Sequence, residues 1–233
     1  RALRIFTDAN ISYGRIQALQ HLGNLDRMGG DLESAASSFR QALTEAQATQ
    51  DRRAEAAAHT NLGNIMLARG RRDEAQLEYD ASLSIHEVLA LPIGQAGDRC
   101  NLANVRATDG DYSGALQQYR MAQEQYAKVQ NLPGALAVGA LVAKTLLSLG
   151  RYGECGEVLK RGMGRAKRQH LTGTHALYQA VAGQRQFVCG QLPEAVELLT
   201  KSEREFAHAG DQRSRATALH VLAEVGAWTG DYA

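Results

Sequence analysis

The stretch NLGNIMLARGRRDEAQLEY, residues 61–79, decides how this chain folds, because its landmarks recur along the whole sequence at one fixed spacing. A glycine stands at every fortieth position without a single insertion: Gly30, Gly70, Gly110, Gly150, Gly190 and Gly230. Five residues after the first five of these comes a small residue: Ala35, Ala75, Ala115, Cys155 and Ala195. Self-similarity at such a period is typical of a repeat array in which each unit packs only on its neighbours.

The segment before each glycine repeats as well. One column accepts only Gly or Ala: Gly23, Gly63, Ala103, Ala143, Gly183 and Ala223. Such a column predicts a place where two helices approach closely. After the glycine, apolar residues four apart, as in Ala75, Tyr79 and Leu83, form a helical stripe and not the alternation of a strand.

Each 40-residue unit is therefore predicted to be a pair of helices, with the recurrent glycine ending the first helix in a left-handed conformation. The three prolines agree with this prediction, because Pro92, Pro133 and Pro193 all fall at predicted helix starts, where proline is tolerated. We expect one array over residues 1–233. It has the end of a preceding second helix (1–10), five complete pairs (11–50, 51–90, 91–130, 131–170 and 171–210) and an incomplete final pair (211–233). Since both ends stop in mid-repeat, we expect a fragment of a longer protein.

Composition excludes several classes of function. The 26 basic and 25 acidic residues give a net charge of +1, whereas a domain that binds nucleic acid is usually strongly basic. No apolar run approaches the length of a membrane span, so no membrane partner is expected. Cys100, Cys155 and Cys189 are too few and too scattered for a disulfide framework, which favours a reducing, cytoplasmic location.

No motif for chemistry is present. The seven histidines and three cysteines form no zinc-binding pattern, and the GMGRAK stretch at 162–167 lacks the ending of a phosphate-binding loop. We therefore expect no enzyme activity, no cofactor and no metal. One basic cluster has two interpretations, a solvated face or a docking patch for an acidic partner. Its members are Lys160, Arg161, Arg165, Lys167, Arg168 and His170.

These columns resemble the tetratricopeptide repeat, in which a Leu-Gly pair in the first helix is followed by Gly, Ala and aromatic landmarks. Leu22-Gly23, Leu62-Gly63, Gly30, Ala35 and Phe39 match those slots. The usual unit is about 34 residues, and the longer unit here resembles the long-helix subclass of Pins-type polarity adaptors and repeats of bacterial regulators. The resemblance implies an all-α, right-handed superhelical solenoid of antiparallel helix pairs.

The resemblance also implies a protein–protein interaction scaffold whose first helices line a concave groove that takes a peptide or protein segment. An alternative is a ligand- or peptide-sensing module of a larger bacterial signalling or transcription regulator. A third interpretation is an element that assembles end to end into a homo-oligomer. The sequence names no partner.

In a tetratricopeptide pair, the first-helix positions one before the Leu and two after it point into the groove. Here they hold His21 and Asn24, Asn61 and Asn64, Asn101 and Asn104, then Leu141 and Lys144, and Val181 and Gln184. Asn is a mediocre helix former, so its recurrence in mid-helix needs a reason. Its amide both donates and accepts, which suits a peptide backbone, although it could equally bond neighbouring repeats. Arg27 and Lys144 are expected to meet acidic groups of the ligand.

Two further expectations concern stability and association. The second helix of the fourth repeat contains Gly153, Gly156, Gly162 and Gly164, which predicts a soft point in the array. Gly162 is the exception, since its column is otherwise Ala or Ser and indicates close packing. The last helix offers Leu219, Leu222 and Trp228 with no second helix to cover them, which predicts end-to-end association.

Overall fold

The structure, a computed structural model, describes residues 12–229, and this part of the chain contains eleven α-helices and no strand. They are α1 (Ser12–Met28), α2 (Leu32–Ala48), α3 (Arg52–Ala68), α4 (Arg72–Val88), α5 (Pro92–Thr108), α6 (Tyr112–Lys128), α7 (Leu132–Ser148), α8 (Tyr152–Arg168), α9 (Thr172–Val188), α10 (Leu192–Ala209) and α11 (Gln212–Thr229). The all-α prediction is confirmed. Pro92, Pro133 and Pro193 all lie in the first turn of a helix, as predicted.

Each of the helices α1 to α10 is followed by a short turn that contains one residue of positive φ. After the first helix of each pair this residue is the recurrent glycine, with φ between +71° and +86° at Gly30, Gly70, Gly110, Gly150 and Gly190. Two main-chain hydrogen bonds close the turns at Gly30, Gly70, Gly150 and Gly190, for example Gly70 N to Leu67 O and Arg71 N to Met66 O. The glycines therefore end the first helices as predicted.

The second helices end in the same way without needing glycine. Gln50, Ala90, Gln130 and His170 have φ between +50° and +56°, and Gly210 completes the series. The turn after α4 has the same hydrogen bonds, Ala90 N to Glu87 O and Leu91 N to His86 O. The backbone thus repeats every 20 residues, and from Gly30 to His170 the residue of positive φ alternates between Gly and a larger residue.

The helices form two compact units with a boundary between Asp109 and Gly110. In the first unit, which contains α1–α5, successive helices pack against each other in sequence order. Phe39 and Tyr79 are fully buried, and each ring lies on a glycine of the preceding helix. A Cβ atom added to Gly23 would lie 2.7 Å from Phe39, and one added to Gly63 would lie 2.6 Å from Tyr79. The small-residue column therefore marks close helix contacts here, as predicted.

In the second unit, which contains α6–α11, the same column places Gly183 of α9 against Leu199 of α10, 2.6 Å from an added Cβ atom. A second close contact surrounds Tyr178 of α9, which is 1% exposed. Cβ atoms added to Gly139 of α7 or Gly162 of α8 would each lie 2.2 Å from Tyr178. Gly162 therefore does serve close packing.

Candidate functional site

The predicted groove residues of the first unit lie on its first helices α1, α3 and α5. Asn61 and Asn64 are three residues apart on α3 and therefore lie on the same helical face, as Asn101 and Asn104 do on α5. All four side chains and that of Asn24 are half-buried, whereas His21 is exposed. The first unit thus presents partly buried amides at two repeated positions of successive first helices.

Asn64 has a structural contact that the sequence analysis did not foresee. Its Oδ1 accepts a hydrogen bond of 2.8 Å from the hydroxyl of Tyr79, which is 0% exposed. Burial, together with the nearby Asp98 carboxylate, raises the pKa of Tyr79 well above its ordinary value, so the hydroxyl stays protonated and remains a donor. Asn64 therefore satisfies a buried polar group of its own helix pair.

Asn24, Asn61 and Asn101 differ from Asn64 in this respect. At the position equivalent to Tyr79, the α1–α2 pair has Phe39, which has no hydroxyl to donate to Asn24. Asn24, Asn61 and Asn101 form no side-chain hydrogen bond with any residue in the range 12–229. Their donors and acceptors are open to water or to a ligand.

The equivalent positions of the second unit are more apolar. Leu141 of α7 is half-buried and Val181 of α9 is 7% exposed, while Gln184 of α9 is half-buried. The two cations predicted to meet acidic groups, Arg27 of α1 and Lys144 of α7, are exposed and form no ion pair with another described residue. Each unit therefore has its own set of groove positions, all polar in the first unit and two of four apolar in the second.

A buried polar cluster ties together three helices of the first unit. Asp98 of α5 is 1% exposed and accepts hydrogen bonds from Thr60 of α3 (3.1 Å) and from Ser82 of α4 (2.9 Å). Its Oδ2 also lies 2.6 Å from Nδ1 of His86. Burial raises the pKa of Asp98, and the hydrogen bonds from His86, Ser82 and Thr60 oppose that rise.

This cluster has the residue types of a catalytic triad but not the access. Ser82 is 0% exposed, so no substrate can reach its hydroxyl, and the cluster is structural. The sequence analysis missed it, although a signal existed. Asp98 stands in a column that is otherwise apolar or aromatic: Ala18, Ala58, Val138, Tyr178 and Ala218.

The predicted basic cluster lies on α8 and in the turn after it. All six side chains are exposed, namely Lys160, Arg161, Arg165, Lys167, Arg168 and His170. Within residues 12–229, no three His, Cys, Asp or Glu residues lie close enough together to hold a metal ion. In the same part of the chain, no helix combines the length and apolar character needed to cross a membrane.

Comparison with solved structures places this geometry among tetratricopeptide-repeat folds. BtubC from P. vanneervenii has a TM-score of 0.71 at 21% identity, over 90% of this chain and 87% of that one. A putative kinesin light chain from Podosopora anserina with nearly identical TPR-like repeats has a TM-score of 0.66 at 18% identity, over 85% and 97%. YrrB, a TPR protein described as having an unusual peptide-binding site, has a TM-score of 0.53 at 18% identity, over 96% and 98%.

No protein-family model matches the chain, and no curated protein matches its sequence. The similarity to the solved structures establishes the fold, a solenoid of tetratricopeptide type. This similarity does not show that the chain belongs to the long-helix, Pins-type subclass, and that assignment stays a prediction.

Proposed function

We propose that this chain is a protein-interaction scaffold that binds an extended peptide segment across the first helices of its first unit. The observation that carries the proposal is the set of half-buried amides on α1, α3 and α5 without hydrogen-bond partners in the described chain, Asn24, Asn61 and Asn101. Each amide can donate to a peptide carbonyl and accept from a peptide N–H.

The partial burial of these amides matters for affinity. A half-buried amide is already poorly hydrated and held by its helix, so a ligand loses little when it replaces the remaining water and gains a preorganised partner. Backbone recognition of this kind tolerates many side chains, which suits a scaffold. The fold gives independent support, since YrrB, a protein of similar fold, is described as having a peptide-binding site.

The groove positions of the two units differ in charge and polarity. Arg27, exposed in the last turn of α1, is available to an acidic group of the ligand. In the second unit, the half-buried Leu141 offers an apolar contact at a position equivalent to the amides of the first unit. We propose that this second set binds an apolar residue of the partner.

The test is selection of a random peptide library displayed on phage against the whole chain, followed by titration calorimetry with the best peptide. We expect the double variant Asn61→Ala/Asn101→Ala to bind that peptide at least about tenfold more weakly, or about 1.4 kcal/mol. Its melting temperature should stay close to wild type, because neither amide bonds the described protein. Ser84→Ala, at an exposed position of the second helix α4, is the matched control and should bind normally.

Unchanged affinity of the double variant would contradict the proposal. So would an equal loss in the Ser84→Ala control. Asn64 is unsuitable for this test because its replacement also removes the acceptor of the Tyr79 hydroxyl.

A further inference from the structure

A furrow runs along one side of α6 in the second unit. Its first part, a cavity of about 500 Å³, is bounded by the C-terminal half of α6, the start of α7 and Arg165 of α8. Its second part, a cavity of about 360 Å³, is bounded by the N-terminal half of α6 and Arg151. Arg120 and Glu124 line both cavities, so the two lie next to each other along α6.

The length of the furrow sets the size of a ligand. Helix α6 has 17 residues, which corresponds to about 26 Å at 1.5 Å per residue. An extended peptide advances by about 3.4 Å per residue, so a segment of about eight residues spans the furrow. This is the scale of a linear peptide motif.

The charges of the furrow favour an acidic ligand. Glu124, the acidic residue in the lining of both cavities, lies 2.9 Å from Lys128. Glu154, which pairs with two of the lining arginines, lies 2.6 Å from Arg151 and 3.5 Å from Arg120. Arg165 is exposed and forms no ion pair with a described residue.

Arg165 also stands in a basic helix. Five basic residues and two acidic ones lie on α8, and four of the basic ones, Lys160, Arg161, Lys167 and Arg168, are exposed beside Arg165 in sequence. The net charge of the entire chain is only +1, so this positive charge is a local feature and not a general property of the surface.

The floor of the first cavity is apolar. Leu136 and Ala135 of α7 are buried, Leu132 is half-buried, and Ala127 of α6 is exposed on the wall. An aliphatic side chain of a ligand placed in this cavity would cover apolar surface that is exposed to solvent. The guanidinium groups at the cavity edge would pair with carboxylates on either side of that ligand residue.

We propose that this furrow binds an acidic segment of a partner protein, extended along α6. One apolar side chain of the segment packs against Leu132 and Leu136, and its carboxylates pair with Arg120 and Arg165. The site lies on α6, the start of α7 and α8, on a different unit from the amides of the proposed peptide groove.

A nucleic acid fits this furrow less well than a peptide. The apolar floor offers nothing to a phosphate backbone, and Glu124 and Glu154 would interrupt an unbroken line of phosphates. An acidic peptide can place uncharged residues opposite these two carboxylates.

The experiment measures fluorescence anisotropy of a labelled peptide of about eight residues, with two central leucines and glutamates elsewhere, a length set by the extended span of the furrow. Arg165→Glu should weaken binding at least about tenfold, because it replaces an attractive charge by a repulsive one. Ala127→Trp should also weaken binding, because the indole fills the cavity from an exposed position. Arg204→Glu, an equal charge change at an exposed residue of α10, is the matched control and should bind as wild type.

Two altered peptides and one altered protein complete the test. The peptide with serines in place of the leucines, and the peptide with glutamines in place of the glutamates, should each bind more weakly. The variant Asn61→Ala/Asn101→Ala should keep full affinity for the acidic peptide, so the result does not depend on the groove of the first unit.

Several results would overturn the proposal. These are no binding of the acidic peptide to the wild-type chain, equal effects of Arg165→Glu and Arg204→Glu, or full affinity for the serine peptide. Loss of binding in the Asn61→Ala/Asn101→Ala variant would place the peptide elsewhere. Tighter binding of a single-stranded oligonucleotide that Arg165→Glu abolishes would make the furrow a nucleic-acid site instead.

Discussion

The hydroxyl of Tyr178 on α9 donates a hydrogen bond to the main-chain oxygen of Leu136 on α7, 2.8 Å away. The ring reaches this acceptor because two glycines, Gly139 and Gly162, leave room for it. Burial raises the pKa of Tyr178 to about 12, which keeps the phenol protonated and the bond intact at neutral pH. One side chain of α9 thus contacts both helices of the preceding pair.

Alanine substitution at two glycines of α8 should have effects of opposite sign. Gly162→Ala would place a Cβ atom 2.2 Å from the Tyr178 ring, and overpacking should cost at least about 1 kcal/mol. The matched change Gly164→Ala meets only the end of the Arg168 side chain at 3.5 Å and should stabilise by about 0.5 to 1 kcal/mol. Urea denaturation of both variants measures the difference, and equal shifts would refute this account of α8.

The hydrogen bond between Tyr79 and Asn64 predicts unequal costs for its two partners. Asn64→Ala leaves a fully buried hydroxyl without an acceptor and should cost about 1 to 3 kcal/mol. Tyr79→Phe leaves a half-buried amide that water can still reach and should cost only about 0.5 to 1.5 kcal/mol.

The double variant Tyr79→Phe/Asn64→Ala completes this comparison. It should be more stable than the sum of the two single changes predicts, because neither group is then left unpaired. Additive losses in chemical denaturation would mean that the bond contributes nothing.

The sequence predicted the features of this structure that are produced by residue types recurring every 40 positions. Recurrent glycines predicted the ends of the first helices, and the Gly or Ala column predicted the close contacts of Gly23 and Gly63. The left-handed turns at Gln50 and Ala90 were not predicted, because a non-glycine residue there leaves no compositional signal.

The candidate sites were harder to predict for a related reason. The Asn64 bond depends on a single oxygen that distinguishes Tyr79 from Phe39, and the Asp98 cluster depends on one residue that departs from its column. The furrow depends on how three helices meet, which periodicity alone does not describe. Only its basic component, on α8, was visible in the sequence.

Asp98 should give the first unit a pH dependence of definite sign. Its pKa in the folded chain is raised above the ordinary value of 3.8, so the folded state holds this proton more tightly than the unfolded chain does. The stabilising contribution of protonation is complete below pH 3.8 and is lost as the pH rises through the folded pKa.

The variant Asp98→Asn removes this titrating group together with its interaction with His86 and leaves the other carboxyls in place. The stability of wild type relative to Asp98→Asn should increase as the pH is lowered from 7 toward the ordinary pKa of 3.8. Urea denaturation of both proteins over this range measures the difference. A difference that is constant, or that shrinks toward acid, would contradict the raised pKa.

The last described helix should mediate self-association. Trp228 is 79% exposed and Leu219 is 45% exposed on α11, whereas Leu222 packs beside the buried residues Leu199, Val221 and Val225. The Trp228 ring meets only the edge of Phe187, with ring centroids 6.4 Å apart, so most of its surface faces water. Burying this apolar surface against a second copy would be favourable at about 25 cal/mol per Å².

Sedimentation velocity over a concentration series should therefore show a growing dimer fraction for wild type. The variant Leu219→Gln/Trp228→Gln should sediment as a monomer at the same concentrations. Val88→Gln, which removes an isolated apolar residue of 77% exposure on α4, should leave the association unchanged. A wild-type chain that stays monomeric at the highest concentration would refute association through α11.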